Sequence, residues 1–131
     1  MADRAVLVDT SAWIEFFNRP NSPEKKAIDQ LIDSDRATVC GVVLAELLQV
    51  TRTPKEFALV RDSLQALPYV EIDVRAWEKV GDLGFALRRK GITVPVTDLT
   101  VAALAQTHGL YVLTCDSHFQ DIPGVQLVQP A

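Results

Sequence analysis

Short all-apolar runs alternate along this chain with stretches in which apolar residues recur every three or four positions. Ala5-Val6-Leu7-Val8 is the first run. A continuous apolar run, unlike an alternating one, marks a strand buried on both faces of a parallel sheet. Ala37-Thr38-Val39-Cys40, Tyr69-Val70-Glu71-Ile72, Tyr111-Val112-Leu113-Thr114 and, more weakly, Val125-Gln126-Leu127-Val128 predict four further strands. Between them lie helices. Ala12 to Phe17 reads as a short helix stopped before Pro20. Ser22-Pro23-Glu24 opens another, with Ser22 as N-cap and Pro23 at the first helical position, and Ala27, Ile28, Leu31 and Ile32 form its apolar stripe. Val43 to Val50 is helical, Thr53-Pro54-Lys55-Glu56 is a capping box for a helix to about Leu67, and Asp73 caps a long helix ending near Gly91. Asp98 stands where an N-cap belongs for a helix from Leu99 to His108, closed by Gly109.

Strands alternating with helices predict an α/β fold, a sandwich around a mostly parallel sheet. No repeat, low-complexity tract or linker interrupts the pattern, and 131 residues fit a single domain, 1–131. In such sheets ligands bind outside the carboxyl ends of the strands. Asp9 follows the first strand and Asp116 the fourth, so both fall at that edge, and helices carrying Glu46 and Asp98 are placed to approach it.

Composition changes this picture little. The chain is 48% hydrophobic and 23% charged, like an ordinary soluble globular protein. Its longest apolar runs, Ala5 to Val8 and Val42 to Ala45, fall far short of the roughly 20 residues that cross a bilayer. Met1-Ala2-Asp3-Arg4 does not open a signal peptide, so no membrane role is expected and the cytoplasm is the expected compartment. Cys40 and Cys115 match no metal-ligand spacing, and at the ends of apolar runs they read as buried, reduced thiols. The net charge of −4 argues against a nucleic-acid partner at first sight. Setting aside Asp9, Glu46, Asp98 and Asp116 leaves 13 of the 17 acids, matching the 13 Lys and Arg, so the rest of the chain is formally neutral.

Each acid has a plainer reading as well. Asp9 and Asp98 can be helix caps, Glu46 can face solvent from a leucine-rich helix, and Asp116 can be an ordinary loop acid. Brought together, the four would repel one another unless a cation neutralised them or their pKa values rose. Hard divalent ions such as Mg²⁺ and Mn²⁺ take carboxylate and water oxygens. Such ions can orient a water and clamp a scissile phosphate, hydrolysing it without a covalent enzyme intermediate.

Val8-Asp9-Thr10-Ser11-Ala12-Trp13-Ile14-Glu15 resembles the opening motif of PIN-domain nucleases, especially the VapC-type toxins of bacterial toxin–antitoxin pairs. The likeness continues through Val43-Leu44-Ala45-Glu46-Leu47, through Val96-Thr97-Asp98-Leu99-Thr100-Val101-Ala102-Ala103-Leu104-Ala105, and through Leu113-Thr114-Cys115-Asp116-Ser117-His118-Phe119. It spans essentially the whole chain; the first and third blocks are the most specific. The resemblance implies a PIN-like three-layer α/β/α sandwich and a Mg²⁺- or Mn²⁺-dependent endoribonuclease, a homodimer neutralised by a small antitoxin protein. Carried over by position, Asp9 and Asp98 would be direct metal ligands, and Asp116 would bind directly or through water. Glu46 would position a water or act in proton transfer. Thr114 would hold the acidic loop by hydrogen bonding, and Thr10 or Ser11 would do likewise after Asp9. One departure touches Asp116: the family often has Asn or a basic residue around the fourth acid, whereas this chain has Cys115-Asp116-Ser117-His118.

Other features add less. Arg88-Arg89-Lys90 suits a helix C-terminus, with RNA phosphates as the alternative partner for it and for Arg19, Lys25, Lys26 and Arg52. His108 and His118 pair at no metal spacing; His118 reads as a surface histidine, with contact to substrate beside Asp116 as the alternative. Trp13, Phe16, Phe17 and Trp77 have core or interface spacing, and Phe57, Leu59, Val60, Leu64 and Leu67 offer more apolar surface than one core needs, so part of it is expected to serve dimerisation or antitoxin docking. A signalling receiver module is disfavoured, since Asp9 has no adjacent acid and no lysine follows the last core strand. An RNA-processing PIN nuclease without an antitoxin, and a catalytically silent PIN-like binding module, are the alternatives; the compact length favours a toxin.

Overall fold

The computed structural model describes residues 4–130. Its strands are β1 (Val6–Val8), β2 (Ala37–Cys40), β3 (Tyr69–Val70), β4 (Tyr111–Leu113) and β5 (Leu127–Val128). Its helices are α1 (Thr10–Asn18), α2 (Pro23–Asp33), α3 (Gly41–Gln49), α4 (Pro54–Gln65), α5 (Val74–Arg89) and α6 (Val96–His108), with a 3₁₀ turn over Ser117–Asp121. All strand pairings are parallel and the order is β3-β2-β1-β4-β5. Val6, Leu7 and Val8 are each fully buried although successive side chains point to opposite faces. Both faces of the sheet are therefore covered, which makes this a three-layer α/β/α sandwich.

The chain leaves β1 toward β2 on one side and returns to β4 on the other. The carboxyl ends of β1 and β4 thus flank the topological switch point of the sheet, where open α/β folds bind ligands. The β1–β4 register pairs Val8 with Leu113, and the Asp9 N–H donates to the Leu113 carbonyl at 2.9 Å. Asp9 and the loop after β4 are consequently level with each other.

Helix caps follow the sequence in several places. Ser22 accepts from the Lys25 N–H, Thr53 from the Glu56 N–H, and Asp73 from the Ala76 N–H. α6 ends at Gly109, whose φ of +67° is the left-handed conformation that glycine adopts without steric cost. α3 starts directly at the end of β2, where a Cβ on Gly41 would lie 2.8 Å from the hydroxyl of the exposed Tyr69 side chain and require it to shift. α6 is buried continuously from Asp98 to Ala105, so it is a core helix with no polar face through those residues, and the Thr100 hydroxyl donates to the Val96 carbonyl at 2.7 Å.

Some expectations need correction. α6 begins at Val96 with Pro95 as its N-cap, so Asp98 lies within the first turn and is not the cap. β3 and β5, at the two edges of the sheet, are each two residues long, shorter than expected. Cys40 is buried, and burial pushes its thiol up to about 11, away from reactivity. Cys115 is exposed on the loop after β4, not buried. Trp13 is in the core, whereas Trp77, Phe57 and Leu59 are exposed and Val60 and Leu64 are not. Arg88 and Arg89 do occupy the last turn of α5. Among the described residues no helix is long and apolar enough to cross a membrane.

Candidate active site

Asp9 occupies the N-cap position of α1, yet its side chain caps nothing. Its Oδ2 instead accepts from the Ser11 hydroxyl at 2.9 Å and the Thr114 hydroxyl at 2.8 Å. Each hydroxyl has a single proton, so both protons are committed to the carboxylate. Their lone pairs then accept backbone N–H groups: Cys115 N–H to Ser11 and Asp116 N–H to Thr114, both at 2.9 Å. The relay from backbone to hydroxyl to carboxylate is polarised in one direction and compensates a residue that is only 3% exposed. It also ties the loop after β4 to the start of α1. Thr114→Val removes one donor to Asp9 and the acceptor for Asp116, and is expected to cost about 1–3 kcal/mol. Denaturant unfolding checks this, with Thr114→Ser expected to recover most of the loss.

Asp116 sits at the N-cap of the 3₁₀ turn, where its Oδ1 accepts the His118 N–H at 2.9 Å. The turn brings the His118 ring back over the acids. Its Nδ1 lies 2.8 Å from Asp98 Oδ2 and 3.0 Å from Asp116 Oδ1. Asp98, reaching in from the first turn of α6, is 7% exposed. Burial pushes its carboxyl up to about 6, and the charges of Asp116 and Asp9 push the same way against the hydrogen bond from His118. The His118 imidazole is raised in turn, chiefly by that bond to Asp98.

Glu46, half-buried on α3, accepts from the Thr10 hydroxyl at 2.6 Å. Thr10 therefore holds Glu46 and Ser11 holds Asp9, two adjacent hydroxyls serving two different acids. Ligand atoms of Asp98, Asp116 and His118 all lie within 4.8 Å of one another. Asp9 is not in that tight set, but its charge is felt by Asp98. His118, read from sequence as a surface histidine with substrate contact near Asp116 as the alternative, stands beside two carboxylates, and its contact with Asp98 was not foreseen. Its two-residue spacing from Asp116 was the available signal.

The PIN domain family model matches residues 6–125, which contain every residue of this cluster. The chain belongs to the PIN-domain family. This PIN domain is 27% identical over 130 residues to VapC ribonuclease Mb1587 of Mycobacterium bovis, covering 96% of this chain and 97% of that protein. Its fold is similar to a DNA-bound VapBC structure from Salmonella typhimurium, with TM-score 0.82 and 23% identity over 98% of this chain and 99% of that one. It is also similar to VapBC-5, of the VapBC family of toxin–antitoxin systems, from Mycobacterium tuberculosis, with TM-score 0.66 and 26% identity over 95% and 99% of the two chains.

The donors of this PIN domain suit a divalent cation. Three carboxylates crowd one edge of the sheet, and Asp98 resists ionisation chiefly because it is buried, with the charges of Asp116 and Asp9 adding to the effect.

Proposed function

We propose that this PIN domain, residues 1–131 acting as one unit, is a Mg²⁺- or Mn²⁺-dependent endoribonuclease that hydrolyses RNA phosphodiester bonds and serves as the toxin of a toxin–antitoxin pair. The observation that carries the reading is the meeting of Asp9, Asp98 and Asp116 at the switch point of the sheet, from β1, α6 and the loop after β4. Asp98 and Asp116 would hold the ion, with Asp9 beside them. The ion, when bound, supplies positive charge that stabilises the scissile phosphate and makes water a better nucleophile.

The chain's own residues do the rest. Ser11 and Thr114 fix Asp9 by donating to one of its oxygens, so the carboxylate keeps its orientation as substrate enters. Glu46, steadied by Thr10, lies like Asp9 outside the tight donor set and is assigned to orient the attacking water and accept its proton. Homodimerisation and docking of a small antitoxin are assigned to the apolar surface that includes Phe57 and Leu59 on α4. The relatives named ribonuclease VapC and VapBC support the RNA substrate and the antitoxin partner, and a cytoplasmic location follows from that role.

Expression in a bacterial host without an antitoxin tests the proposal. The native chain is expected to arrest growth and to leave cleaved RNA, and Asp9→Asn at equal abundance to do neither. Growth and RNA unaffected by the native chain would overturn the toxin assignment.

A further inference from the structure

The cluster is not made of carboxylates alone. Of the candidate donors, the three whose ligand atoms lie within 4.8 Å of one another are Asp98, Asp116 and His118, two oxygens and one imidazole nitrogen. The position of the ring comes from the fold. Asp116 caps the 3₁₀ turn through the His118 N–H, and Phe119, the next residue, is buried at 1% exposure and anchors the turn in the core. His118 Nδ1 is thereby held at 2.8 Å from Asp98 and 3.0 Å from Asp116, between the two acids, where a cation shared by them would find a nitrogen donor already in place.

A nitrogen donor changes which ion such a centre prefers. Mg²⁺ demands oxygen ligands in near-ideal octahedral geometry and keeps several waters. First-row transition ions accept imidazole more readily than Mg²⁺ does, Mn²⁺ the least strongly among them, and a purely carboxylate centre lacks that bias. We propose that His118 is a direct ligand of the metal centre and makes it selective for Mn²⁺ over Mg²⁺. This rests on the metal-dependent reading above and adds to it a residue and an order of preference.

The test is binding, not turnover. Mn²⁺ is titrated into the purified metal-free protein, at one fixed pH, and followed by loss of the free-ion electron paramagnetic resonance signal, with Mg²⁺ as competitor. The native chain is expected to bind Mn²⁺ more tightly than Mg²⁺. His118→Ala is expected to weaken Mn²⁺ on the order of tenfold while changing Mg²⁺ much less, so that the preference collapses. Spin-echo modulation of Mn²⁺ on the native protein gives an answer that needs no variant: coupling to an imidazole nitrogen is expected, and its absence overturns the proposal. Equal weakening of both ions would also overturn it, by making His118 only an orienting partner of Asp98 and Asp116. Tighter binding of both ions by the variant would overturn it by making the ring a competing counter-ion. Failure of the native chain to bind either ion would instead bring down the metal-dependent reading itself, together with this one.

Discussion

Asp98→Asn is expected to reduce RNA cleavage on the order of a hundredfold or more while making the metal-free fold more stable at alkaline pH. The two effects have one origin. Asp98 is nearly buried and faces Asp116 and Asp9, so its carboxyl is raised from 3.8 to about 6. The native state therefore binds more protons than the unfolded chain across that window, and stability falls as pH rises through it. The penalty is absent below the window and complete above it. His118 adds a separate contribution, because its pKa is also raised: its stabilisation is complete below the ordinary value of 6.5 and is lost as pH climbs through the higher folded value. Above both titrations the imidazole no longer offsets the acids. Asparagine keeps the shape of Asp98 without its charge, and the expected gain there is roughly 1–2 kcal/mol. Denaturant unfolding at alkaline pH in the presence of a chelator reads the stability, and a gel assay reads the cleavage. A variant that is fully active, or less stable than the native chain at alkaline pH, would contradict the assignment. A residue that costs stability in the empty fold and is indispensable for reaction is what a metal-binding acid should be.

The position of Asp9 and Asp116 was readable from the chain because both follow apolar runs, and a strand end in a parallel sheet is a definite place. Asp98 was harder. Aspartate suits both the N-cap and the first turn of a helix, and Pro95 allowed α6 to start at Val96, two residues before the predicted N-cap. What distinguishes the two positions is a contact with His118, which is distant in sequence and set by packing of α6 against the turn after β4. The nearness of His118 to Asp116 was legible from their two-residue spacing, but its contact with Asp98, on another element, was not. Exposure of Cys115 was likewise invisible: the apolar run ends at Leu113, and the following residues belong to the loop that Ser11 and Thr114 hold in place. The local devices, the Ser22, Thr53 and Asp73 caps and Gly109, were legible because they depend on neighbours a few residues away.

Trp13→Ala is expected to be the most destabilising truncation, at about 3 kcal/mol. Trp13 is 1% exposed on α1, with its ring edge-on to Phe16 at 5.2 Å and stacked with Phe17 at 5.9 Å. Removing it opens a cavity under the helix that Asp9 precedes. The loss is placed at the low end of the range for buried aromatics because the indole Nε1 is buried with no hydrogen-bond partner among the described residues, and deleting it removes that desolvation penalty. Trp13→Phe separates the terms: it removes the same unpaired N–H while keeping much of the ring, and is expected to cost only about 1 kcal/mol. Urea unfolding with an unchanged slope measures both. Equal losses for the two variants would mean that the ring volume phenylalanine keeps contributes nothing, and would contradict the cavity account. Because α1 carries Thr10 and Ser11, cleavage by Trp13→Ala should fall together with its stability.

The central claim is that Asp9, Asp98 and Asp116 form a metal-dependent phosphodiesterase centre. Its most direct test is cleavage of a single-stranded RNA by the purified chain in a chelator, then after adding back Mg²⁺ or Mn²⁺, with Asp9→Asn treated in parallel. The account predicts no cleavage in chelator, recovery with the added ion, and none from Asp9→Asn under either condition. Cleavage that survives chelation, or that Asp9→Asn retains, would contradict it.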